Sequence, residues 1–322
     1  MRIYLRHLLS AALFTAVLMS FLIAASRIMS PKNNTPDGGI VEPAANGILA
    51  EPEGTIDVLI LGDSESYSAI NPLKLWEEHG ITSYCCGTSG QRLYYTEEFL
   101  HQAFRRQKPK LVILETDVIF REYPLPEEVI HRMNAAFPVL IYHNRWKNMK
   151  AEDIRLNAEY TYCNPTKGYY FSENVDPANP EGYMKESSET APVPAQNRVI
   201  LARMQAFCKA NGAKLLLLST PSTVNWNMER HNAVRQLADE WMLEYMDMNR
   251  MTDVIPIDWK KDTRDRGDHM NHSGAEKVTA YLGRYLSGTG LLKDHRSDPA
   301  YRSWDDAAER FRKETESKRQ NG

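Results

Sequence analysis

Three continuous apolar runs stand out along the chain: Ile56-Asp57-Val58-Leu59-Ile60-Leu61, Lys110-Leu111-Val112-Ile113-Leu114 and Lys214-Leu215-Leu216-Leu217-Leu218. Each is short and shows no apolar/polar alternation, which is the pattern of a parallel strand buried on both faces. Between and after them the spacing turns helical, and it predicts helices over 72–79, 94–106, 196–210 and 275–286. In the third of these, Ile200, Met204, Phe207 and Cys208 fall on one face. Strand and helix alternating in this way predict an α/β domain built on a parallel sheet. No internal repeat interrupts the alternation.

The two ends of the chain differ from this middle. Arg2, Arg6 and His7 precede an apolar run from Leu8 to Ala25, broken only by Ser10, Thr15 and Ser20. Its length is at the lower limit for crossing a bilayer, and the basic residues in front of it favour an inside N-terminus. Ala24-Ala25-Ser26 offers a cleavage point, so a retained signal-anchor and a cleaved signal both fit. Either one places the rest of the chain outside the cytoplasm. No cysteine follows the run, so a lipoprotein anchor is not expected.

Residues 1–28 are therefore read as a transmembrane signal-anchor and 29–54 as a flexible linker rich in Pro, Gly and Asn. Residues 55–294 form the domain, and 295–322 a charged tail, either a solvated helix or disordered. Within the domain the apolar runs stop between Asn144 and Ala195. That stretch (about 145–195) holds Tyr160, Tyr162, Tyr169, Tyr170, Phe171 and Tyr183. It is either an insertion packed as a lid over the sheet's C-terminal edge or a surface loop with its aromatics tucked into the domain.

Composition narrows the functional classes. A net charge of -3 gives no basic field, so nucleic acid is not an expected partner. The four cysteines follow no metal-ligand spacing, and no metal or organic cofactor is expected. Cys85 and Cys86 are adjacent and unsuited to bonding each other. Cys163 and Cys208 are either bridged or free buried thiols.

The chemistry concentrates at two places. Gly62-Asp63-Ser64 follows the first strand directly, so Ser64 stands at a strand's C-terminal end, where ligands bind in open α/β sheets. A hydroxyl needs a base to take its proton. Asp262-Thr263-Arg264-Asp265-Arg266-Gly267-Asp268-His269-Met270-Asn271 offers His269, with a carboxylate to fix its tautomer, just before an expected helix. The same stretch also suits plain helix capping by Asn271 or Ser273. His272 is a competing base, and His231, beside Trp226 and Arg230, reads as a loop or substrate-contact residue.

Together these segments resemble the SGNH (GDSL-like) hydrolases over residues 55–290. Gly62-Asp63-Ser64 is similar to block I of that family. Cys86-Gly87-Thr88-Ser89-Gly90-Gln91 is similar to block II, and Asp268-His269-Met270-Asn271 with Gly274-Ala275 to block V. Ser219-Thr220-Pro221-Ser222, Asn225-Trp226 and Arg230-His231-Asn232 look like segments of exported bacterial members. The resemblance implies a three-layer α/β/α flavodoxin-like sandwich, with Ser64 as nucleophile and His269 as base, in hydrogen-bonding reach of each other. It further implies an oxyanion hole from the Ser64 and Gly90 N–H groups, and substrate contacts at Trp226, Arg230 and His231.

Two departures bear on this. The third strand ends Leu114-Glu115-Thr116-Asp117, without the family's oxyanion asparagine, which leaves only the Thr116 hydroxyl as a third donor. The usual acid position is Arg266, so the triad acid is either Asp265 or Asp268. The implied function is an extracytoplasmic serine esterase or O-acyltransferase acting on acyl, chiefly acetyl, esters of an envelope polysaccharide. The likeness to D-alanyl-transfer and alginate-acetylation proteins points to that substrate. The alternatives are a non-catalytic envelope glycan-binding or assembly protein on the same scaffold, and a structural anchor without a site.

Overall fold

The computed structural model describes residues 2–155 and 157–321, which divide into two compact units. One joins the chain up to Val41 with Tyr123–Tyr162; the other joins Glu42–Glu122 with the chain from Cys163 onward. The first contains α1 (Arg2–Met29), an apolar helix of which the most apolar, membrane-length window is not buried at all.

The second unit opens with α2 (Pro43–Asn46) and then builds the sheet. In chain order follow β1 (Val58–Gly62), α3 (Ser64–Ala69), α4 (Pro72–His79), β2 (Ser83–Gly87), α5 (Leu93–Phe104) and β3 (Leu111–Glu115). The first unit contributes α6 (Leu125–Ala136) and α7 (Val139–Tyr142). The chain then supplies α8 (Ala195–Ala210), β4 (Lys214–Ser219), α9 (Met228–Trp241), β5 (Glu244–Asp247), α10 (His272–Gly288) and α11 (Arg302–Asn321). The five strands pair in the order β2-β1-β3-β4-β5, every pair parallel. Val58, Ile60, Ile113, Leu216 and Leu218 face one side, against Leu75 of α4 and Val278, Leu282 and Leu286 of α10. Because side chains alternate across a strand, Leu59, Leu61, Val112 and Leu114 face the other side, where α5 and α8 pack on the sheet. The architecture is the expected three-layer α/β/α sandwich.

The apolar runs at β1, β3 and β4 form strands, and α4 ends where the sequence marks it. Asn71 caps its N-terminus through Leu73 N–H, Pro72 occupies the first turn, and Gly80 closes it in the left-handed region at φ 64°. β2, β5 and α9 were not legible. Ser83-Tyr84-Cys85-Cys86-Gly87 is buried yet carries no aliphatic run, and β5 has only four residues with acidic ends.

The linker and the tail also differ from expectation. Ala45, Ile48 and Leu49 are buried, and Glu51 forms a buried ion pair with Lys167 at 2.8 Å, so residues 43–51 belong to the folded unit. The tail is neither disordered nor wholly solvated. Its charges sit on one side of α11, while Trp304, Ala307 and Ala308 are buried, and the Trp304 ring lies 5.6 Å from that of Trp76 in α4. Burying a side chain of that size stabilises by roughly 1.5–3 kcal/mol. The Cys163–Cys208 bridge is not formed: both thiols are free, Cys163 exposed and Cys208 buried in α8.

Candidate active site

β1 delivers Ser64 to the C-terminal edge of the sheet. Gly62 ends the strand at φ 155°, and a β-carbon there would meet Glu115 and Ser66 side chains, so the chain can turn tightly only with glycine. Asp63 then caps α3 by accepting Glu65 N–H at 3.0 Å, which leaves Ser64 as the first residue of the helix. The phenol of Tyr67, one turn later, lies within reach of the Ser64 hydroxyl.

His269 comes from a tight hairpin over residues 263–270. Thr263 and Met270 form an antiparallel bridge, Arg264 N–H donates to the His269 carbonyl at 3.2 Å, and Asp268 N–H donates to the Asp265 carbonyl at 3.2 Å. Arg266 and Gly267 are both left-handed, at φ 58° and 92°, and this double reversal turns Asp265 back onto His269. Asp265 Oδ1 accepts His269 N–H at 2.7 Å and its Oδ2 holds His269 Nδ1 at 2.7 Å. Asp268 Oδ2 is 3.5 Å from the same nitrogen. The Asp268 carboxylate is instead engaged by Asn225, whose Nδ2 donates to Asp268 Oδ1 at 2.5 Å and to Glu65 Oε1 at 2.7 Å. Asn225 thus stitches the hairpin to the residue beside Ser64.

With Nδ1 taken by Asp265, Nε2 of His269 is left buried and without a hydrogen-bond partner. A Glu65 oxygen, an Asp268 oxygen and a His269 ring nitrogen lie within 4.8 Å of one another, which brings the hairpin and the start of α3 together. The expected direct bond from Ser64 to His269 is not formed. Catalytic hydrogen bonds of this kind are often long until substrate is bound.

Gly90 lies in an exposed turn at φ 61°, with open space where a side chain would project. Thr116 is placed otherwise than expected. It is fully buried and its hydroxyl is bonded to Ser219 Oγ at 2.6 Å, which in turn meets Tyr245 OH at 3.0 Å. It is therefore not free to hold an oxyanion. Trp226, Arg230 and His231 also have structural occupations. Trp226 is buried and donates Nε1–H to Asp247 at 3.1 Å; His231 is buried on the same carboxylate at 2.6 Å. Arg230 pairs with Asp117, donates to the Asn225 carbonyl at 2.5 Å and covers the Phe120 ring. Its bond to the Asn225 carbonyl holds Asn225 in place. His272 is bonded to Tyr169 OH at 3.1 Å inside an aromatic cluster, and Asn271 caps α10 by accepting Gly274 N–H at 3.1 Å. The stretch before α10 therefore serves both as the cap and as the hairpin.

The segment after Cys163 packs beside this hairpin. Asp176 N–H donates to the Thr263 carbonyl at 3.0 Å, Ala178 N–H to that of Trp259 at 2.8 Å, and Tyr170 N–H to that of Tyr67 at 2.9 Å. Tyr169 is tucked into the unit, while Tyr170 is half exposed under the Arg264 guanidinium.

Beneath the serine lies a buried acidic layer the sequence did not announce: Asp63, Glu65, Glu115 and Asp117. Arg121 pairs with both Asp63 and Asp117. Burial pushes the Asp63 carboxyl up to about 7, with the Asp117 charge adding to it and Arg121 opposing. Burial, and then neighbouring carboxylates, drive Glu65 and Glu115 upward as well. A carboxyl whose folded value is raised binds its proton more tightly folded than unfolded, so its contribution to stability is present at low pH and lost as pH rises through the folded value. The full chain in detergent should accordingly lose thermal midpoint from about pH 5 to about pH 8. Asp63→Asn should flatten that slope; an unchanged slope would show that Asp63 does not titrate there.

No family model matches this sequence, and no curated protein does. Among solved structures it is similar to a lipase/acylhydrolase from Enterococcus faecalis, at 12% identity over 74% of this chain and 98% of that one, with a TM-score of 0.41. It is similar to a psychrotrophic esterase from Pseudoalteromonas sp., at 12% identity over 72% and 96%, with a TM-score of 0.37. A GDSL-like lipase from Bacteroides thetaiotaomicron aligns at 12% identity over 72% and 87%, with a TM-score of 0.36.

Proposed function

We propose that this chain is a serine ester hydrolase or acyl-transfer enzyme of the SGNH type, held at a membrane by α1, with Ser64, His269 and Asp265 as its triad. The observation that carries the reading is the state of His269. Its Nδ1 is fixed on Asp265 at 2.7 Å while its Nε2 is buried and unpartnered, on a hairpin tied to the residue next to Ser64. That is the tautomer and orientation a general base needs.

In this mechanism Ser64 Oγ attacks the ester carbonyl carbon and its proton passes to His269 Nε2. The imidazolium is stabilised by Asp265, and the oxyanion is held by the Ser64 and Gly90 N–H groups. Collapse breaks the bond to the leaving alcohol, whose oxygen takes the proton back from Nε2. The acyl group then stays on Ser64 until water or an acceptor hydroxyl, deprotonated by the same Nε2, attacks it; the bond to Ser64 Oγ breaks, that oxygen takes the proton back from Nε2, and the acyl group leaves as an acid or a new ester. The basic residues Arg2 and Arg6 at the start of α1 favour an outward-facing domain, where acetylated envelope polysaccharides are the accessible esters.

The burial of the Thr116 hydroxyl, with Glu115 where the family's donor segment begins, favours a second reading, a non-catalytic glycan-binding or assembly protein. An activity-based fluorophosphonate separates the two. The full chain should be labelled at a single serine, mapped by peptide mass spectrometry to Ser64, and preincubation with an acetylated polysaccharide substrate should slow the labelling. Absence of adduct at Ser64 would favour the non-catalytic reading.

A further inference from the structure

α6 carries an apolar stripe that, among the described residues, nothing in its own unit covers. Leu125, Val129 and Met133 recur at every fourth position, with Ile130 alongside, and all four are more than half exposed. Among the described residues none of α6 is buried. A soluble helix normally turns such a stripe inward.

Its place in the chain shows what covers it. α6 leads directly into α7, and α7 and the turn after it are fastened to the end of α1: Val139 N–H donates to Ser26 Oγ at 3.3 Å, and Arg145, in the turn His143–Asn148, donates to the Met29 carbonyl at 2.7 Å. Ser26 directly follows the apolar run Leu8–Ala25. The fastening therefore lies where α1 would leave the hydrocarbon. The connection after α7 carries Trp146, exposed, with Lys147 and Lys150 exposed beside it. Tryptophan flanked by lysine is the composition of a membrane–water interface. α6 has 12 residues, about 18 Å, too short to cross a bilayer but suited to lie in its surface.

We propose that α6 is an interfacial membrane helix, its Leu125, Val129, Ile130 and Met133 stripe sunk into the outer part of the lipid leaflet that α1 crosses. This rests on α1 as the membrane span. The unit formed by α1 and Tyr123–Tyr162 is then one lipid-bound platform, with α1 across the bilayer and α6 along it. The stripe is expected to sit ~5–10 Å into the headgroup and acyl boundary.

The test uses the full chain in vesicles of phosphatidylcholine and phosphatidylglycerol. Cys163→Ser removes the exposed native thiol, and single cysteines at Val129→Cys, Met133→Cys, Ala135→Cys and Leu13→Cys carry an environment-sensitive fluorophore. Ala135 lies on the side of α6 away from the stripe. Labels at 129 and 133 should be quenched by lipids spin-labelled near the headgroup and protected from aqueous iodide, with the label at 135 showing the reverse. Iodide access at all three α6 positions would overturn the proposal. So would labels at 129 and 133 shielded from both quenchers, because the stripe would then be covered by protein. The label at 13 separates the two readings: quenching there by lipids spin-labelled at the chain terminus, without quenching at 129, keeps the span and rejects the interfacial helix.

Discussion

Ser64→Ala should lower the hydrolysis of an activated acetyl ester such as p-nitrophenyl acetate by about 10⁴-fold or more, because triad side chains supply several orders of magnitude in rate. The measurement is the initial rate of the purified full chain in detergent, with released acetate from an acetylated polysaccharide as a second readout. The substitution removes one hydroxyl from a residue whose backbone is fixed by the Asp63 cap and the start of α3, so the thermal midpoint should change little. His269→Ala should fall nearly as far. The double variant should be no slower than the worse single one, since nucleophile and base act as one unit and their effects do not add. Equal rates for wild type and Ser64→Ala on both substrates would remove the nucleophile and the enzyme reading with it.

Much of the scaffold was legible because parallel strands buried on both faces must be written as apolar runs. β1, β3 and β4 obey that rule, and the Ser64 position follows from β1 alone. β2 escaped because it carries no aliphatic run, its Cys85 and Cys86 packing as small apolar residues in place of one. The site was legible only to the level of single residues. Ser64 and His269 can be named from strand, turn and helix signals. Asn225 cannot, since its role depends on joining Glu65 and Asp268, residues 160 and 43 positions away. The same limit explains Trp226 and His231. Polar aromatic residues in a loop suit substrate contact as well as they suit Asp247, and only the fold shows that Asp247 holds both. The acidic layer was hidden for a further reason: Glu115 and Asp117 read as a surface-like polar strand end, and burial beside Arg121 shows only in three dimensions.

The choice between the two hairpin carboxylates also depended on backbone shape, and it leads to the second large effect. Asp265→Asn should cost on the order of 10⁴-fold in kcat, by the loss of the correct imidazole tautomer. Asp265 uses Oδ1 to accept His269 N–H and Oδ2 to hold His269 Nδ1. An asparagine that keeps the backbone bond must present its amide NH₂ to Nδ1. That makes Nδ1 the acceptor and places the ring proton on Nε2, where it blocks the serine. Asp268→Asn should be much milder, within about tenfold, since the carboxylate is 3.5 Å from Nδ1 and an asparagine still accepts from Asn225 through Oδ1. Both substitutions are isosteric, so comparable thermal midpoints should accompany unequal kcat values. If Asp268→Asn proves the more damaging of the two, the orienting acid is Asp268, and the left-handed pair Arg266-Gly267 shapes the hairpin without serving the base.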